Sequence, residues 1–124
     1  MSTQPHLKQV RLELARCAGF PDGSQEHGYE LTAPLNADGS LSAELWRAEK
    51  DKCVVRRFWP GEQDRTGYLR HLGHGWRLDY DPETHSDDAP IFKLDRHHLL
   101  PGAYVSITEN DGIQRPFKVI SVVG

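Results

Sequence analysis

Sulfur is scarce in this chain: 124 residues carry two cysteines, Cys17 and Cys53, and one methionine. The cysteines lack C-x-x-C spacing and read as reduced, partly buried thiols rather than a redox pair or half of a thiolate metal site. Long apolar runs are missing too. Met1-Ser2-Thr3-Gln4-Pro5-His6 contains no apolar signal core, and no later segment approaches the length of a membrane span. The expectation is therefore a cytoplasmic protein of bacterial type that does not enter a membrane. Excess positive charge is the third absence. Fifteen Lys and Arg against 18 Asp and Glu leave a formal net charge of −3, and the sequence pI is near 6.1. That balance argues against nucleic acid as a partner, because general binding to it needs a basic footprint. It still allows a local basic patch.

The signatures of known chemistries are absent as well. There is no H-E-x-x-H or facial-triad spacing, no G-x-S-x-G elbow, no phosphate loop and no dinucleotide fingerprint. No cofactor is called for, and the balance leans away from an enzyme. Internal repeats, low-complexity segments and heptads are also missing.

What the chain does have is aromatic mass and alternation. Three Trp, four Tyr and four Phe, within 37% hydrophobic content, supply a core that disordered chains usually lack. The length suits one domain, which should bury roughly two-thirds of the surface its unfolded chain exposes. We read residues 1–7 as a flexible tail and 8–124 as a single β-rich domain.

The strongest local pattern lies near the C-terminus. Ala103-Tyr104-Val105-Ser106-Ile107-Thr108 and Phe117-Lys118-Val119-Ile120-Ser121-Val122 alternate apolar and polar residues around Asn110-Asp111-Gly112, a β-hairpin signature. Lys8 to Arg16 alternates as cleanly, with Val10, Leu12 and Leu14 on one face. A shorter strand is expected over Gly28 to Ala33. Cys53–Trp59 is the most β-prone central run. Its faces read Cys53, Val55, Arg57, Trp59 against Val54, Arg56, Phe58, so its arginines either lie under cover or aim at a pocket or rim. Thr66–Leu72 and Gly75–Tyr80 form a hairpin with Trp76, Leu78 and Tyr80 on one face. Residues 81–90 form a long acidic loop, and Ile91–Asp95 is a short strand. The one helix spans 43–52 behind a Ser42 cap, with Leu45 expected in the core. Together these predict an all-β domain: a small antiparallel barrel or barrel-like sandwich of seven or eight short strands with one short helix. A small barrel filled by side chains leaves little room for a deep pocket, which moves function to a face or the rim.

Four segments together, Arg11–Arg16, Val55–Trp59, Trp76–Pro82 and Pro101–Ile107, resemble a small all-β family of proteobacteria with no assigned activity. The resemblance covers nearly the whole chain and implies the fold alone. The terminal hairpin is also similar to those of SH3-like barrels.

Two groups of residues could carry chemistry. Arg56, Arg57, Trp59, Trp76 and Arg77 combine guanidinium groups with aromatic rings, the means by which proteins grip planar anions. They suit a protein partner or a small anionic ligand. Against this, the arginines of this region could cover the outer sheet face and pair with Glu13, Glu30 and Asp79 across strands, which we favour. The second group is His27, Asp79, Asp81, His85, His97 and His98. Histidines and acids near strand ends could assemble a metal-dependent, hydrolytic site, but only through the fold. A binding module is the leading expectation and the metal site its alternative. Whether strands pair between copies of the chain is left open.

Overall fold

A computed structural model describes residues 6–17, 19–72, 75–79, 89–92, 98–108 and 113–124. Among these residues, eight strands follow in chain order: β1 (His6–Leu14), β2 (Ser24–Leu35), β3 (Val54–Phe58), β4 (Arg65–Leu72), β5 (Gly75–Asp79), β6 (Ala89–Phe92), β7 (Tyr104–Thr108) and β8 (Gln114–Val123). Each pairs antiparallel with the next, and β8 pairs back onto β1, so the curled sheet closes into a barrel. One helix, α1 (Ala43–Glu49), and a 3-10 turn at Lys50–Lys52 lie between β2 and β3.

Alternation sets which side chains fill the barrel. Val10, Leu12 and Leu14 of β1 face inward, as do Leu31 of β2, Val55 of β3, Leu69 of β4, Leu78 of β5, Val105 and Ile107 of β7, and Phe117 and Val119 of β8. Tyr29 and Phe117, both fully buried, meet edge to face at 5.2 Å between ring centres. The space left among Leu12, Tyr29, Leu78 and Ile107 is only about 10 Å³ and wholly apolar. That is room for one water at most, and the lining offers it no polar partner. Among the described residues the barrel interior is a packed core.

Antiparallel connectivity gives the barrel two distinct ends. The β2–β3 connection, carrying α1, closes one of them. Asn36–Ser40 turns tightly with Gly39 at φ +87°, where a side chain would also strike Leu100. Ser42 then caps α1, its hydroxyl accepting the Leu45 N–H at 3.1 Å. Trp46 swings over the barrel mouth and donates its indole N–H to the Leu69 carbonyl at 2.7 Å. Its ring meets His71 and Trp76 at about 6 Å. Leu99 completes this plug, donating its N–H to the Gly39 carbonyl.

Several expected boundaries shift. β1 begins at His6, inside the stretch read as a tail, because His6 still pairs with Leu35. It ends at Leu14, where the β1–β2 register slips between Glu13 and Leu14. The partner β2 runs 12 residues rather than six, since β1 offers it a full-length ladder. The helix stops at Glu49 and tightens into the 3-10 turn, which brings Cys53 into line for β3. Leu45 is only half-buried. Trp46, one position on, takes the inward place because its N–H can reach Leu69. The strand expected at 91–95 is β6 at Ala89–Phe92, so Ala89 and Pro90 belong to a strand and not to the acidic loop. Residues 81–88 lie outside the described residues, as do Tyr80 and the hairpin turn at 110–112.

Candidate functional site

The end opposite the helix is where the chemistry-bearing residues gather. β1 and β3 finish there and β2, β4 and β8 begin there, which brings the 15–23 loop, the 59–64 loop and the start of β8 together. Arg57 shares the inward face of β3 with Val55, so its side chain runs along the barrel interior toward this rim and is only 10% exposed. Its guanidinium carbon lies 4.2 Å from the centre of the Trp59 ring. Arg115, at the start of β8, stands over the same indole at 5.7 Å. Two cations on one ring are tolerated because the π-face carries negative charge density toward both.

His27 closes the other side of Trp59, edge-on at 4.2 Å, with Phe20 packed against it at 4.8 Å. The His27 Nδ1 lies 2.6 Å from the Ser24 hydroxyl, which also accepts the Glu26 N–H. The Ser24 hydroxyl thus ties the His27 ring to the turn that starts β2. Burial holds the His27 pKa below 6.5, and the charges of Arg57 and Arg115 act in the same direction, against Glu26 and Glu62. Glu62 is the acid of the rim. Its N–H is tied to the Trp59 carbonyl at 3.2 Å, and its carboxylate lies 3.4 Å from Arg57 Nη1 with 54% of the side chain exposed. The turn at Gly61, φ +79°, directs the chain back at this point.

The candidate binding residues separate. Arg57 and Trp59 belong to this rim. Arg56 points to the outer face, where it pairs with Glu30 and with Asp64 at 2.7 Å and lies over the Phe58 ring. Arg11 covers the other side of Phe58 and pairs with Glu13 and Glu30. Arg56 with Glu30 is the cross-strand pairing expected of the outer face, whereas Glu13 is met by Arg11, two residues away on its own strand. Trp76 is 3% exposed and packs beneath the helix at the far end. Arg77 is exposed on the outside, opposite Arg70.

The candidate metal ligands do not converge where they are described. His27 stands at the rim among arginines, an environment hostile to a cation. His98 sits at the helix end against the Asp38 carbonyl, at 2.6 Å. Asp79 ends β5. Asp81, His85 and His97 lie outside the described residues. Among the described residues no group of three or more His, Cys, Asp and Glu could hold a metal ion. Cys53 is fully buried, and burial pushes its thiol up to about 11, far from a ready nucleophile.

Phe20, Glu62 and Arg115 were not among the candidates read from sequence. They lie far apart along the chain, and only the closing of the ring makes them neighbours. A broad groove of about 870 Å³ also crosses the outside, lined by Glu13, Arg16, Asp22, Tyr104 and Lys118 among others. Its charges are of both signs, and it holds no comparable concentration of one chemistry. Among the described residues no helix is long and apolar enough to cross a membrane. No family model matches the chain, and no curated protein or solved structure matches it either.

Proposed function

We propose that this domain is a non-enzymatic binding module that takes an anionic group, on a small ligand or a partner protein, at the rim formed by Arg57, Trp59, Arg115 and His27. The observation that carries the reading is the pair of guanidinium groups placed over one indole, at 4.2 and 5.7 Å from its centre, at the end of the barrel opposite the helix. Contact with the indole holds the Arg57 guanidinium at the rim, and guanidinium groups suit planar oxygen pairs. His27, its pKa held below 6.5 by burial, adds a polar ring nitrogen without adding charge at neutral pH. The packing among the described core residues, with only about 10 Å³ left among Leu12, Tyr29, Leu78 and Ile107, supports binding at the rim rather than inside the barrel.

The test is a titration of the full-length chain with benzoate and with inorganic phosphate, followed by the indole N–H resonance of Trp59. A saturable shift is expected with at least one anion, and Arg57→Met should lose it while keeping the wild-type dichroism. Flat titrations with both anions would remove the proposal.

A further inference from the structure

The groove on the outside of the barrel lies where the ladders of β1 are interrupted on both flanks. Toward β2, the pairing jumps from Gly28 to Ser24 between Glu13 and Leu14, so residues 25–27 fall outside the ladder. Toward β8, it jumps from Ser121 to Val119 between Arg11 and Leu12, and Ile120 is the residue left over. Such bulges re-aim side chains and collect beside functional sites. Glu13, Leu14, Gln25 and Ile120, which flank or occupy these interruptions, all line the groove.

The charges that line it do not cancel within the chain. Lys118 stands directly across from Glu13 in the β1–β8 register, where opposite charges ordinarily meet. Glu13 is instead taken by Arg11, whose Nε lies 2.7 Å from the carboxylate. Among the described residues Lys118 makes no ion pair, and neither do Arg16 and Asp22 from the 15–23 loop. Tyr104 flanks Lys118 on the side away from Glu13, and both Tyr104 and Ile120 are exposed. One groove thus combines two unmatched cations, one unmatched acid and an apolar surface.

We infer that this groove is a second binding site, separate from the rim, and that it takes a short peptide by its two free ends. The carboxylate is met by Lys118 and Arg16, the ammonium by Asp22, and the apolar body lies against Tyr104 and Ile120. A simple anion would leave Asp22 unmatched, and a simple cation would leave Lys118 and Arg16 so. A zwitterion answers both signs with one molecule. The volume, about 870 Å³, is in the upper part of the roughly 300–1,000 Å³ range of ligand sites, which suits a ligand of several residues better than one amino acid.

The experiment titrates the full-length chain at neutral pH with the tripeptide alanyl-leucyl-alanine, its N-acetyl form and its C-terminal amide. The backbone amide resonances of Gly23, Gln25 and Lys118 are followed. The free tripeptide should give saturable shifts there, and each blocked form should bind about two- to fivefold more weakly, the loss expected for one exposed ion pair. Lys118→Met should weaken the free tripeptide more than its amide, and Asp22→Asn should weaken it more than the acetyl form. Both side chains are exposed, and dichroism checks that the variants fold. Arg57→Met, which removes the rim site, should leave these titrations unchanged. Absence of saturable shifts with the free tripeptide overturns the proposal. So do blocked forms that bind as tightly as the free one, or a response that disappears in Arg57→Met.

Discussion

Gly28 offers the sharpest check on how closely the first two strands are drawn together. It is buried although its position on β2 faces outward, because the Phe58 ring lies over it. A Cβ at this position would lie 2.0 Å from the Leu12 carbonyl oxygen and 2.9 Å from Phe58 Cζ. The ring can tilt away, but the carbonyl belongs to β1. Carbon–oxygen contacts between strands run at about 3.3 Å or more, so Gly28→Ala requires the strands to part by roughly 1.3 Å. Overpacking of a core costs about 1–3 kcal/mol, and a backbone obstacle puts this case toward the upper end. The entropy gained on replacing glycine in a strand offsets about 0.5–1 kcal/mol of that. A net loss of about 2–2.5 kcal/mol remains. For 124 residues, at about 2.1 cal/mol/K of unfolding entropy per residue, each kcal/mol lowers Tm by about 4 °C. Gly28→Ala should therefore melt about 8–10 °C below wild type by far-ultraviolet dichroism. Gly61→Ala is the control: its Cβ would meet nothing within 4 Å, and only the positive φ opposes it, at about 1–2 kcal/mol. A Gly28→Ala protein melting within 2 °C of wild type would refute the close approach of β1 and β2.

Three other outcomes are expected. Trp46→Phe removes the donor to the Leu69 carbonyl and loosens the helix over its end of the barrel; urea unfolding should show a loss of about 1–2 kcal/mol, and an unchanged midpoint would speak against the plug. His27 has a lowered pKa when folded, so below about pH 6.5 the unfolded chain binds more protons and stability falls as pH drops, levelling off below the folded value. Urea midpoints taken from about pH 7 to 5 should fall less for His27→Gln than for wild type; parallel curves would count against the assignment. Cys53, with its thiol pushed up to about 11, should resist a disulfide reagent at about pH 8 until the protein unfolds, while half-buried Cys17 reacts first. Equal rates at the two thiols would contradict that burial.

Much of the barrel is legible along the chain because strand patterning is local. Val10, Leu12 and Leu14, or Val105 and Ile107, announce their inward face by alternation alone, and Ser42 announces the helix through its hydroxyl. The β3 pattern is legible too: Arg57 follows Val55 at spacing two and faces where Val55 faces. Other features are not local. The pairing of β1 with β8 joins residues more than a hundred positions apart, and with it the meeting of Arg57 and Arg115 over Trp59. The difference between Trp59 and Trp76, both beside arginines, comes from position along the strand. Alternate strands of the antiparallel barrel run the same way, so a residue just after the end of β3 and one near the start of β5 lie at opposite ends of the barrel. Leu45 and Trp46 show a different limit. In so short a helix both can be placed toward the core, and the choice falls to the one whose N–H finds a buried carbonyl.

Ring closure by β1 and β8 has a consequence for biosynthesis. A ribosome adding about 5–20 residues per second needs about 5–20 s to travel from the end of β1 to the start of β8. During that interval the flank of β1 that β8 will occupy, along Val10, Leu12 and Leu14, holds unpaired amides beside greasy side chains. A nascent chain halted before Gln114 would carry that sticky seam permanently, a template for its neighbours on a crowded polysome.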